Sequence, residues 1–187
     1  MSEEELSQLS LILLNEAHTI KPFDCEDIDL NEFLFEKAKL YKQEFLATTF
    51  ILENDKQTVA YYSIFNDSLK VEEEGFASKS AFKRFLKDLV SHPKRHLKSF
   101  PALKIGRLGI DKNFKGKGLG KLIVNNIIND TLELNEKQAC KLITVDAYNQ
   151  SLHFYERLNF EYLTENDKNE ETRQMYLDLT SLTIAQL

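Results

Sequence analysis

Residues 104–134, "KIGRLGIDKNFKGKGLGKLIVNNIINDTLEL", place an alternating run, three glycines at every second position and a long apolar-periodic run in direct succession. The first part, "KIGRLGID", has the period of two that a half-buried strand requires. The last part, from Leu119 onward, repeats its apolar residues at helical spacing. A second β-branched run, "KLITVDAY", follows after residue 140. Strand, loop, helix and strand in this order predict a right-handed crossover that leaves the two strands side by side and parallel.

The flanking residues add elements that no purely parallel sheet would contain. "LATTFILE" and "TVAYYSIF", separated by "NDKQ", predict an antiparallel hairpin. Before it, "DLNEFLFEKAKLYKQEF" opens on a capping-box pattern, Asp29 with Glu32 three residues on. It then places Leu30, Phe33, Leu34, Ala38, Tyr41 and Phe45 at helical spacing. "SAFKRFLKDLV" predicts a shorter amphipathic helix with Phe82, Phe85, Leu86 and Leu89 on one face, ended by His92-Pro93. "SLHFYERL" predicts a short helix and "RQMYLDL" a last strand. The expected class is α/β, with a mixed, mostly antiparallel sheet. With 187 residues, 42% of them hydrophobic, and no linker-like stretch, one domain spanning 1–187 is expected.

The glycine loop is the first candidate for function. A helix that starts directly after it leaves its first N–H groups without intrahelical acceptors, at the positive end of the helix dipole. Gly116, Gly118 and Gly120 keep side chains out of the way, while Lys115, Lys117 and Lys121 add charge. Phosphate oxygens suit such a place. Two nucleotide patterns fail, however: both the G-x-x-x-x-G-K-[ST] and the G-x-G-x-x-G spacing would need a glycine where Lys121 stands.

The segment Lys115-Gly116-Lys117-Gly118-Leu119-Gly120 instead resembles the pyrophosphate loop of the GNAT superfamily of N-acetyltransferases, with lysine in the place of the usual Gln or Arg. "RLGID" before it resembles the family's fourth strand. "VDAYNQSLHFYERLNF" is similar to its closing strand, loop and helix, carrying Asn149, Ser151, Phe154, Tyr155 and Asn159-Phe160. Asn159 stands where the family has glycine, and asparagine tolerates the left-handed conformation of a helix end.

The resemblance implies a GNAT-like fold with a splayed parallel strand pair, acetyl-CoA as cosubstrate and direct acetyl transfer to an amine. It assigns the cofactor arm to the backbone of Leu108, Gly109 and Ile110, the pyrophosphate to residues 115–121, and supporting contacts to Asn149 and Ser151. It makes Tyr155 the donor to the departing sulfur, since a phenol can hydrogen-bond a thiolate of comparable basicity. A backbone amide within 108–110 would serve the carbonyl oxygen. Packing alone would also explain Tyr155. For the general base the residues leave Asp111, Asp146 and His153 open. Cys140 has no base beside it, and Pro93 between His92 and His96 speaks against a metal pair.

The acceptor is less constrained. The N-terminal "PFDCEDIDLNEFLFEKA" with "ATTFILE" and "AYYSI" resembles the tRNA-acetylating toxins within the superfamily. Net charge is −6, which opposes bulk RNA binding, yet residues 79–104 hold eight Lys or Arg against one acid, Asp88. This basic helix and loop, read as an insertion, is a candidate tRNA contact, and equally a solvated surface. The primary reading is therefore transfer to a primary amine of unassigned identity. Acetylation of aminoacyl-tRNA is the alternative, and a non-catalytic acyl-CoA-binding module a third. The apolar run "LSLILL" is too short to cross a membrane, and two distant cysteines suit a cytoplasmic, reducing setting. A second copy of the chain is a further candidate partner.

Overall fold

The computed structural model describes residues 6–90 and 99–184. Seven strands form one sheet: β1 (Ser10–Leu13), β2 (Thr48–Glu53), β3 (Thr58–Lys70), β4 (Ser99–Ile110), β5 (Leu142–Tyr148), β6 (Glu161–Tyr162) and β7 (Thr172–Asp178). Their order is β1-β2-β3-β4-β5-β7-β6, mostly antiparallel with β4 and β5 as the parallel pair. Among the described residues, five α-helical elements accompany them, besides short 3-10 turns. Helix α1 comprises Ile28–Glu32 and Ala38–Gln43 with a π-helical stretch, Phe33–Lys37, between; α2 is Lys79–Leu89, α3 Leu119–Leu134, α4 Leu152–Glu156 and α5 Leu179–Ile184. The chain packs as two compact units, residues 1–65 with 105–129, and residues 66–104 with 130–187.

In the first unit the expected hairpin is present, with Thr48 opposite Ile64, Phe50 opposite Tyr62 and a register shift at Leu52/Glu53. β1 adds to its free edge, Leu13 opposite Phe50. Leu14, Phe23, Phe33, Leu34, Ala38, Ile51 and Tyr61 form the core. Tyr61 is its centre: its ring stacks on Phe33, meets Phe23 edge-on, and its hydroxyl donates to the Leu30 carbonyl at 2.7 Å.

Helix α1 departs from its expected form in two ways. Its cap is Asp27, whose carboxylate accepts from Leu30 N at 3.0 Å, so Asp29 falls in the first turn and the Asp29–Glu32 capping box does not form. Asn31 ties this helix to the residues before it: its Oδ1 accepts from Cys25 N and its Nδ2 donates to Asp24 Oδ1. The π-helical stretch then inserts an extra residue per turn. Phe33, Leu34 and Ala38 stay buried, Tyr41 is partly exposed with its ring edge-on to Phe33 at 5.3 Å, and Phe45, beyond the helix end with φ +58°, is 97% exposed.

The second unit is built on β5–β7 pairing, from Leu142 opposite Asp178 to Tyr148 opposite Thr172. Helix α2, capped by Ser78, buries Phe82, Leu86 and Leu89 against Leu69, Val71, Phe100, Ala102, Leu142 and Tyr176. The basic segment 79–104 is therefore not wholly an insertion. Ser99–Lys104 opens β4, with Phe100 and Ala102 buried at alternate positions. His92 and His96 lie outside the described residues.

Candidate active site

The glycine loop occupies the first unit. Strand β4 ends at Ile110, and Asp111 caps a single 3-10 turn, Lys112–Phe114, by accepting from Asn113 N at 3.0 Å. Gly116 and Gly118 follow with φ of +73° and +84°, values that L side chains adopt only at a cost. A Cβ at either glycine would find nothing within 4 Å, so the space beside this backbone is open. The Gly118 carbonyl accepts from Leu122 N and begins α3, which leaves the N–H groups of Leu119, Gly120 and Lys121 in its first turn. Leu119 and Gly120 are buried and anchor that turn.

The lysines divide. Lys115, in the family's Gln/Arg place, reaches back to the segment before α1: its Nζ donates to the Cys25 carbonyl at 2.7 Å and pairs with Glu26 at 2.9 Å. Lys117 lies over the Phe114 ring, 4.8 Å from its centre. Lys121 lines a shallow groove of about 410 Å³ that runs from Gly118 along α3, with Leu122, Asn125, Asn126 and Asn129. The three asparagines were not among the residues expected from sequence. Their signal is a polar stripe at helical spacing within the otherwise apolar run "KLIVNNIIND".

A polar latch holds the loop to the segment before α1. Asp24 pairs with Lys112 at 2.9 Å, its backbone N–H donates to Asp111 Oδ2, and its carbonyl accepts from Lys112 N. The hydrogen bond from Lys112 keeps the Asp24 carboxyl well below the usual carboxylate range. Asp111, a candidate base on sequence, is buried with both carboxylate oxygens engaged in this latch and cap.

Within β4, Leu108 and Ile110 are half-buried and Gly109 is buried. Gly109 serves packing: a Cβ there would come within 2.6 Å of Tyr61 Cε1 and 3.1 Å of Phe23 Cζ.

The other expected residues belong to the second unit. Tyr155 sits on α4 and is 5% exposed, its ring edge-on to Phe154 and Phe160 at 4.9 and 5.3 Å. Burial alone pushes its phenol well above the ordinary tyrosine value. The α4 end closes as the asparagine suggested: Asn159 has φ +64°, and Phe160 N donates to the Tyr155 carbonyl. Asn149, which opens the turn before α4, donates through Nδ2 to the Glu170 carbonyl at 3.0 Å, and Ser151 precedes the helix without a capping bond from its side chain. Asp146 pairs with Lys104 at 2.5 Å, and exposed His153 pairs with Glu156. Burial raises both thiols, Cys25 and Cys140, which opposes nucleophilic use. Among the described residues, no His/Cys/Asp/Glu group is arranged to hold a metal ion.

The fold has counterparts among known proteins. The fold is similar to that of a tyrosine-to-phenylalanine mutant of KacT, at 22% identity, TM-score 0.75, with 95% of this chain and 99% of that chain covered. It is also similar to AtaT complexed with acetyl-methionyl-tRNAfMet, at 22% identity, TM-score 0.73, covering 96% and 99%. A third likeness is to AtaTR bound with AcCoA, at 22% identity, TM-score 0.74, covering 97% and 99%. The family model for the acetyltransferase (GNAT) domain matches residues 46–162, well over half of the chain. This chain therefore belongs to the GNAT family of acetyltransferases, which take the acetyl group from acetyl-CoA.

Proposed function

We propose that the chain moves the acetyl group of acetyl-CoA directly to a primary amine, with residues 115–121 holding the pyrophosphate. The observation that carries the donor site is the pair of left-handed glycines, Gly116 and Gly118, with open space beside them at the start of α3. Backbone N–H groups in that first turn suit pyrophosphate oxygens, and Lys121 adds a cation. The groove of Leu122, Asn125, Asn126 and Asn129 offers apolar and amide surface for the nucleotide end.

The backbone of Leu108, Gly109 and Ile110 is assigned to the pantetheine arm and the carbonyl oxygen. As the amine nitrogen bonds to the thioester carbon and the carbon–sulfur bond breaks, the sulfur gains charge, and Tyr155 is assigned as its hydrogen-bond donor. A phenol raised by burial keeps its proton across the working range, so it donates rather than ionises. Asn149 and Ser151 shape the turn that carries α4.

An aminoacyl-tRNA acceptor is the second reading. It is supported by the likeness to AtaT, seen with acetyl-methionyl-tRNAfMet, and by Lys79, Lys83, Arg84 and Lys87 on α2. Free thiols at Cys25 and Cys140 fit a cytoplasmic setting, and no described helix is long and apolar enough to cross a membrane.

The test is incubation with acetyl-CoA and a panel of amines and aminoacyl-tRNAs, following released thiol. Turnover with one class identifies the acceptor. Acetyl-CoA binding by calorimetry without acetylation of any acceptor would reduce the chain to an acyl-CoA-binding module.

A further inference from the structure

The second unit contains a cavity that the donor chemistry leaves unused. It measures about 380 Å³ and lies where α2 faces β6, β7 and the start of α5, at the small end of the roughly 300–1,000 Å³ of small-ligand sites. Its floor is apolar and aromatic: Leu89 is buried, and Phe85 meets Tyr176 edge-on with ring centres 5.7 Å apart.

Its rim is acidic. Glu161 accepts from the Tyr176 hydroxyl at 2.9 Å, and Asp88 stands on the adjoining turn of α2. Asp178 also borders the cavity but is neutralised by Lys141 at 2.7 Å. Among the described residues, Arg84 is the one cation in the lining, and neither Arg84 nor Asp88 forms an ion pair. The uncompensated carboxylates are thus Asp88 and Glu161 against one guanidinium. All three carboxylates act on the Tyr176 hydroxyl and, with burial, hold its proton on.

Aromatic walls beneath a carboxylate rim are the recognition chemistry of a planar cation. The same unit already uses it internally. Arg173 lies over the Tyr162 ring, 3.9 Å from its centre, while its Nε donates to Asp167 at 3.1 Å. The Tyr176–Glu161 pair repeats that combination of ring and carboxylate beside an open cavity.

We propose that this cavity receives the arginine side chain of a protein partner, its guanidinium bound by Glu161 and Asp88 over the Phe85–Tyr176 floor. Lysine fits less well, since a compact ammonium cannot lie flat on a ring and bond two carboxylates together.

The test titrates the full-length, ¹⁵N-labelled chain with the peptide acetyl-Ala-Arg-Ala-amide, its citrulline counterpart and free spermine. Saturable amide shifts at Ala81, Phe85 and Tyr176 are expected with the arginine peptide, at least about fivefold weaker with citrulline, which keeps the shape but lacks the charge. Glu161→Gln, which keeps an acceptor oxygen for Tyr176, and Asp88→Asn, on the exposed side of α2, should each weaken the peptide by a similar factor. Equal binding of citrulline, shifts elsewhere, indifference to both variants, or tighter binding of spermine would each overturn the assignment. Should Glu161→Gln lower the melting temperature, Asp88→Asn decides alone.

Discussion

Gly118→Val separates backbone strain from ligand exclusion. At φ +84° a β-branched residue is strained, but its Cβ would meet no atom within 4 Å. The structural cost is therefore the left-handed conformation alone, about 1–2 kcal/mol. For a chain of this size that lowers the melting temperature by roughly 2–8 °C. The same side chain would stand where the pyrophosphate is assigned, blocking N–H groups whose bonds to an anion contribute about 1.5–3 kcal/mol each. Loss of even one such bond raises the Kd for acetyl-CoA by about tenfold or more. Calorimetry with acetyl-CoA measures the affinity, and scanning calorimetry of the free chain measures the strain. Gly118→Asn is the control, because asparagine tolerates the left-handed region while still filling the space. It should melt close to the parent and still bind poorly. If both variants bind acetyl-CoA within about twofold of the parent, the pyrophosphate lies elsewhere and the reading of this loop is wrong.

Three other perturbations are informative. Tyr155→Phe preserves the ring contacts with Phe154 and Phe160, so kcat should fall at nearly unchanged acetyl-CoA affinity and melting temperature; weaker affinity at full kcat would remove the donor role. Gly109→Ala forces the Tyr61 ring away from a 2.6 Å clash and strains its bond to Leu30, so overpacking should cost about 1–3 kcal/mol in urea unfolding, and a change under ~0.5 kcal/mol would contradict the packing described. Tyr61, Tyr155 and Tyr176 all have phenols raised by burial. Below about pH 10 folded and unfolded chains both keep these protons. Above it only the unfolded chain releases them, so stability should fall by about 1.4 kcal/mol per pH unit for each tyrosine. Tyr61→Phe should flatten that slope in urea unfolding between pH 9 and 11, and an unchanged slope would show that the ring is not shielded.

The chain's local signals carried much of the architecture. Alternation in "KIGRLGID" and "KLITVDAY", the hairpin runs and the periodic faces of α2 and α3 are short-range patterns, and each element formed over its pattern, with β3 and β4 running beyond theirs. The loop glycines were legible for the same reason: positive φ at 116 and 118 is a backbone demand that glycine meets locally. Asn159 at the end of α4 follows the same logic.

What escaped sequence reasoning depends on residues distant in the chain. The cap of α1 is Asp27 rather than Asp29, next to a cluster in which Asn31 bonds Asp24 and Cys25, and Asp24 is itself paired with Lys112, 88 residues away. Lys115 sits in the loop assigned to the pyrophosphate, and no local pattern showed that its ammonium is tied to Cys25 and Glu26. Asp111 was one of three open candidates for the base, yet it is buried with both carboxylate oxygens engaged. Strand β4 began earlier than its pattern suggested, since Pro101 interrupts an alternation that only the burial of Phe100 and Ala102 reveals. By itself the sequence determined a glycine loop opening a helix, a local feature that suits an anion, and its resemblance to the GNAT family pointed to acetyl-CoA as the donor. Tertiary structure decided which side chains around that cradle are already engaged, because pairing of charges and packing of rings are set by neighbours in space that no local pattern encodes.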